Sequence, residues 1–163
     1  MKNYTNAPFE DFKAEVLRIA GENDACESQY DRAAAAATPD ELLAVIVDNV
    51  AWCAINGIAT PDMLDFFGQD ACWRRGIWYR GETSVENPDK PIYLLGSSSA
   101  TVKTWGSSSA TVETWGSSSA TVKTWGSSSA TVETWGSSIC RDLTQMKLYV
   151  RKSAYKIEVL ENV

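Results

Sequence analysis

From Gly96 the chain repeats itself as GSSSATVKTW, GSSSATVETW, GSSSATVKTW and GSSSATVETW, followed by a broken GSSIC. The four full units differ at one place, which alternates Lys103, Glu113, Lys123 and Glu133. A repeat this strict constrains the architecture first, because every unit must take the same local structure and meet its neighbours in the same way. The segment does not read as a Gly/Ser linker. Each unit also carries Ala, Val, two Thr and a Trp, and Ala-Thr-Val-Lys-Thr-Trp alternates along its length with high β-propensity.

Two strand arrangements compete. In an antiparallel meander with GSSS turns, Lys103 would face Val112 and Val102 would face Glu113. Cross-strand partners share a face, so neither face would be clean. In a parallel stack shifted by one unit, each residue sits about 4.8 Å from its equivalent. Lys103 then lies over Glu113, and alternating signs attract where identical charges would repel. The sequence therefore predicts a parallel two-sided β-solenoid with ten residues per coil. Lys103, Glu113, Lys123 and Glu133 would form one charge ladder, and Trp105, Trp115, Trp125 and Trp135 one stacked row. Ala100, Val102 and Thr104 would point inward, with Thr101, Lys103 and Trp105 outward. Gly106 and its equivalents would take the sharp bend. Pro91 to Gly96 aligns with Thr-Val-Lys-Thr-Trp-Gly as a preceding coil, and Gly76 to Tyr79 resembles an earlier one. Ile139 and Cys140 occupy the Ser and Ala places downstream. Five to seven coils, or about 25–35 Å of stack, are expected.

These Ala-Thr-Val-x-Ala/Thr-Tyr/Trp-Gly turns resemble the short-coil, ten-residue β-solenoids found among uncharacterised bacterial and phage proteins. The resemblance covers residues 91 to about 140. It implies a fold and brings no activity, cofactor or site residue with it. The units are not pentapeptide repeats, because their five-residue halves do not match each other. Their near identity points to recent duplication or to an engineered consensus array.

A bare solenoid end exposes a strand edge, so caps are expected on both sides. The overall expectation is an α+β chain: a helical N-terminal capping domain over 1–90, the solenoid over 91–140, and C-terminal cap strands over 141–163. Pro8 opens a helix through Phe12, Val16, Leu17 and Ile19 that stops at Gly21. A second runs from about Asp24 to Ala37. Thr38-Pro39-Asp40-Glu41 is a capping box for a helix reaching Ile55 and ending at Gly57. Thr60-Pro61-Asp62 starts another, closed near Gly68, and a short one covers Asp70 to Arg75. Leu148 to Arg151 and Tyr155 to Val159 alternate as strands. Their neighbours Lys147, Arg151, Lys152 and Lys156 suit an exposed edge or a small basic docking patch.

Charge and chemistry narrow the function. The net charge is −6, with 16 acids and 8 bases in residues 1–100. That acidic balance argues against a nonspecific hold on nucleic acid or an anionic membrane. The chain has no histidine, which removes the commonest general base and metal ligand. Cys26, Cys53, Cys72 and Cys140 form no C-x-x-C pair, and Cys53 and Cys72 read as buried free thiols. No apolar run approaches 18 residues and no signal pattern opens the chain, so a soluble cytoplasmic protein is expected. There is no phosphate loop, nucleophile elbow or His-based triad. Asp62 and Asp65 sit where carboxylates favour a helix start. Arg74 and Arg75, with Trp73 and Trp78, could form a recognition patch or a packed helix end.

The expected function is a non-enzymatic structural or interaction repeat protein, with the solenoid as rigid spacer or stacked platform. No catalytic residue, metal or cofactor is assigned. The alternative is a binding module using the Trp105/Trp115/Trp125/Trp135 ladder for glycans or flat ligands. The expected partner is an unidentified protein, or a second copy through the solenoid ends, rather than nucleic acid or membrane.

Overall fold

The computed structural model describes residues 4–144, 147–153 and 156–161. The chain is α+β and divides into two compact units, Met1–Arg75 and Gly76–Val163. The boundary therefore falls ahead of residue 90, because the segments just after Gly76 already belong to the β unit.

Among the described residues the first unit holds six helices: α1 (Phe9–Glu22), α2 (Glu27–Ala35), α3 (Pro39–Asp48), α4 (Val50–Ile55), α5 (Pro61–Leu64) and α6 (Gln69–Arg74). Thr38 caps α3, its hydroxyl accepting from the Glu41 N–H at 3.3 Å. The Glu41 carboxylate reaches back to the N–H of Ala37 at 2.7 Å, one residue earlier than the standard box. Thr60 caps α5 in the same way through the Met63 N–H. The helix expected to run unbroken to Gly57 divides at Asn49 instead. Asn49 leaves helical geometry at φ −128°, and its N–H bonds to Ile46. Its side-chain amide donates to the Val45 carbonyl at 2.8 Å, the oxygen a continuous helix would have given to the backbone. The core centres on Phe12, fully buried and stacked on Phe66 with ring centroids 4.0 Å apart. Phe67 meets Phe12 edge-on at 5.3 Å. Leu42, Leu43, Ile58 and Leu64 complete it.

The second unit is a β-solenoid of about three turns. Its strands are β1 (Ile77–Trp78), β2 (Glu82–Glu86), β3 (Ile92–Leu94), β4 (Ser99–Thr104), β5 (Ser109–Thr114), β6 (Ser119–Thr124), β7 (Ser129–Thr134), β8 (Ile139–Asp142), β9 (Lys147–Ser153) and β10 (Lys156–Glu161). The odd strands up to β7 build a four-stranded sheet, β1-β3-β5-β7 (the odd sheet). The other sheet runs β10-β9-β8-β6-β4-β2. Within the coil every pairing is parallel, as expected, and the meander is excluded. The inward parity also holds: Ala100, Val102, Thr104, Ala110, Val112 and Thr114 are all buried. Pro91 to Gly96 supplies a coil segment, with Ile92 beside Val112 and Leu94 beside Thr114. Ile139 and Cys140 take the Ser and Ala places beside Ser119 and Ala120.

The coil period differs from the expectation of ten. Ser99 pairs with Ser119 and Ser109 with Ser129, so one turn of the solenoid consumes two units. Chain reach explains this. Each unit spends six residues on a strand, about 20 Å long, and only Trp-Gly-Ser-Ser remains. Those four residues make a corner, with the Ser108 N–H bonded to the Trp105 carbonyl and Gly106 at φ +71°. They cannot also run back along the strand, so the next unit is the return strand. The five to seven short coils thus become about three long ones.

At the C-terminal end, β8 pairs antiparallel with β9, and β9 with β10. The strands expected there are present. The side chains of Lys147, Arg151, Lys152 and Lys156, with the edge role expected of them, lie outside the described residues, as does Tyr155.

Candidate functional surface

Because consecutive units lie in different sheets, the alternation at the variable place sorts charge by face. Lys103 lies beside Lys123 on the even sheet, and Glu113 beside Glu133 on the odd sheet. The single ladder of alternating sign expected for Lys103, Glu113, Lys123 and Glu133 is therefore two rows of like charge. Local partners temper the repulsion. Lys103 Nζ pairs with Glu86 Oε1 at 3.3 Å, and those residues are direct neighbours across the strands. Lys123 Nζ sits 4.8 Å over the Trp125 ring. On the other face Trp115 Nε1 donates to Glu113 at 3.3 Å. Burial still pushes the Glu113 carboxyl above its ordinary range; the Trp115 bond works against that and the Glu133 charge adds to it.

The tryptophans sort the same way. Trp115 and Trp135 belong to the odd sheet and stack flat, with centroids 4.9 Å apart and planes 7° apart. Trp115 is consequently only 6% exposed, and Trp135 37%. Trp105 and Trp125 flank the lysine row and are 43% and 42% exposed. The expected four-ring row is thus divided into a stacked pair, with Trp115 buried and Trp135 exposed, and two further exposed rings on the other face.

Serine holds the corners. Ser118 is buried, accepts from the Trp115 N–H at 3.0 Å and donates to Leu94 of the preceding coil at 3.0 Å. Ser138 and Ser128 repeat the arrangement on Thr114 and Thr104. At the corner after β4 the preceding strand is β2, and Asn87, the residue after it, lends its side chain where the next corner of this sheet uses the Thr104 carbonyl. The Asn87 Oδ1 accepts from the Trp105 N–H at 2.9 Å and the Ser108 hydroxyl at 2.8 Å. Asn87 adopts φ +44°, which Asn tolerates better than most residues. Nothing in the repeat marks Asn87, because it lies outside the repeat.

In the helical unit, Arg75 is tied to Asp40 at 2.7 Å and to the Asp40 carbonyl, so this member of the Arg74/Arg75 pair fastens α6 to the start of α3. Asp62 lies in the first turn of α5. Cys53 and Cys72 are buried free thiols, as expected; Cys140 is also buried and Cys26 exposed. Burial pushes Cys53, Cys72 and Cys140 up to about 12. A cavity of about 280 Å³ opens among the helices, walled by Val16, Ala20, Leu42, Ile46, Cys53 and Ile58. Among the described residues, no group of three or more His, Cys, Asp or Glu could hold a metal ion, and no helix is long and apolar enough to cross a membrane.

No family model, curated protein or solved structure matches the chain.

Proposed function

We propose that the protein is a non-enzymatic structural or interaction module, with the solenoid serving as a rigid spacer and stacked platform. One observation carries this reading. The coil is a closed, repeated ladder whose small interior residues and serine-latched corners leave its regular outer faces as its distinguishing feature. The three buried thiols, held near 12, stay neutral at physiological pH and are poor nucleophiles. The four free cysteines suit a reducing cytoplasmic setting. The acidic balance of the first hundred residues disfavours nucleic acid and anionic membranes as partners. Recent duplication or consensus engineering would account for the near identity of the units.

Native-state hydrogen exchange tests rigidity: β4 to β7 amides should be protected as one block. Fast, graded exchange across those strands, or a turnover that depends on a single acidic or cysteine residue, would overturn the reading.

The exposure of Trp105 and Trp125 favours a second reading, a glycan or flat-ligand site built on that pair rather than on all four rings. Tryptophan fluorescence titrated with a glycan panel should respond in the parent and not in Trp105→Ser/Trp125→Ser. A silent parent removes this reading.

A further inference from the structure

The two outer faces of the coil are near copies of one another with the charge inverted. Both are built from Ser-x-Thr-x-(Lys or Glu)-x-Trp, with outward residues at the same spacing along the strand and one coil apart across it. Where one face carries Lys103 and Lys123, the other carries Glu113 and Glu133. The basic face continues to Arg141, exposed and paired beside Thr121. On β2, β4 and β6 the outward acids are Glu82 and Glu86 of the edge strand β2, and Asp142 on β8 takes the inward place beside Val122. On the acidic face the charges stand unopposed by any lysine in their rows, and the Glu113 carboxyl is partly desolvated.

We infer that the basic face of one copy docks on the acidic face of a second copy, pairing the Lys103/Lys123 row with the Glu113/Glu133 row. This rests on the platform reading and names its partner. The match is geometric as well as electrostatic: two charges spaced by one coil meet two opposite charges spaced by one coil, with the Thr101/Thr121 row set against Thr111/Thr131. A symmetric contact is disfavoured, because it would lay lysine on lysine or glutamate on glutamate. The contact is therefore heterologous. The pair keeps one free face of each sign, one on each copy, and such contacts propagate as open stacks rather than closing as dimers. This differs from growth through the solenoid ends, which would use strand edges. The charged area is small, on the order of 300 Å² per face from strand length and spacing, below the roughly 800 Å² per partner of stable complexes. The association is accordingly weak, concentration-dependent and sensitive to salt.

Sedimentation velocity of the full chain over a concentration series, at low and high salt, tests it. The parent should form species larger than a monomer at low salt and lose them at high salt. Lys103→Glu/Lys123→Glu, with two acidic faces, and Glu113→Lys/Glu133→Lys, with two basic ones, should each lose self-association. Mixing the two variants should restore it. Glu27→Lys/Asp31→Lys changes net charge as much as the second variant but lies on α2, and should associate like the parent. If either reversal unfolds, as judged by its melting curve, the corresponding Gln variants replace it and should weaken association. A parent that stays monomeric throughout, an association that survives both reversals, or a mixture that stays monomeric overturns the inference. The platform reading survives those outcomes, since it fails on fast coil exchange or on turnover instead.

Discussion

The helical unit and the coil solve the same problem with opposite materials. The helices bury a few large, individually placed side chains, with Phe12, Phe66 and Phe67 stacked and edge-on at the centre. No two of those positions are interchangeable. The coil's four repeat strands turn Ala, Val and Thr inward, buried in β4 and β5 and partly so in β6 and β7, and its corners are secured with hydrogen bonds from serine. In the first unit, cohesion comes from shape. In the second it comes from repetition of the backbone ladder, and the side chains have only to avoid obstructing it. Damage should therefore stay local and scale with volume among the helices, and should depend on register and parity in the coil.

The sharpest way to break this contrast is by length. Removing residues 106–125 takes out one whole turn and leaves every remaining strand in its own sheet. Removing 106–115 takes out half a turn and hands the β8–β9–β10 cap to the opposite sheet. The first deletion should keep a cooperative melt near that of the parent, and the second should lose cooperative melting of the coil. Equal behaviour in calorimetry would mean that the turn is not twenty residues.

Among single changes, Phe12→Ala should cost the most, about 3–5 kcal/mol in denaturant unfolding of the helical unit, with the coil transition unmoved. A loss below about 1 kcal/mol would show that the aromatic cluster closes around the gap. Ser118→Ala removes almost no volume but takes away the hydroxyl bond from the corner to Leu94. The Trp115 N–H still bonds the Leu94 carbonyl directly at 2.8 Å, so about 0.5–1.5 kcal/mol should be lost from the coil transition, the net worth of a hydrogen bond rather than of a group left unpaired. If the loss matched a surface substitution, the serine latch would be incidental.

The smallest effect concerns pH. The Glu113 carboxyl is raised in the fold, so between its ordinary and raised values the folded chain holds a proton that the unfolded chain releases. This group therefore favours the fold on the acid side of that window, and its contribution is lost as pH rises through it. Glu113→Gln should remove that slope: the parent's melting temperature, measured relative to the variant's, should rise as pH falls through the window. Parallel curves would place Glu113 in open water.

Much of this was legible from the residues. The parallel stack, the inward Ala-Val-Thr parity, the Gly bends and the Thr38 and Thr60 helix starts follow from β-propensity, cross-strand logic and capping chemistry, and the fold contains them. The coil length was misjudged because ten is only the approximate repeat. The alternation of Lys103 and Glu113 makes the strict repeat twenty, and twenty is one turn. Taking that alternation as a contact between neighbours, rather than as the label of two separate faces, also merged two rows of tryptophan into one. Asn49 and Asn87 were out of reach for another reason. Each acts through a side-chain amide on a few specific atoms, and neither periodicity nor propensity records such bonds.

Asn87 has one more consequence, for how the chain finds its alignment. Rungs that are alike carry no internal address: β4 could settle one turn out of step against its neighbours and satisfy nearly the same ladder. Only the ends are unique. By closing on Trp105 and Ser108, and on no later corner, the Asn87 amide gives the array an origin from which the remaining rungs are counted.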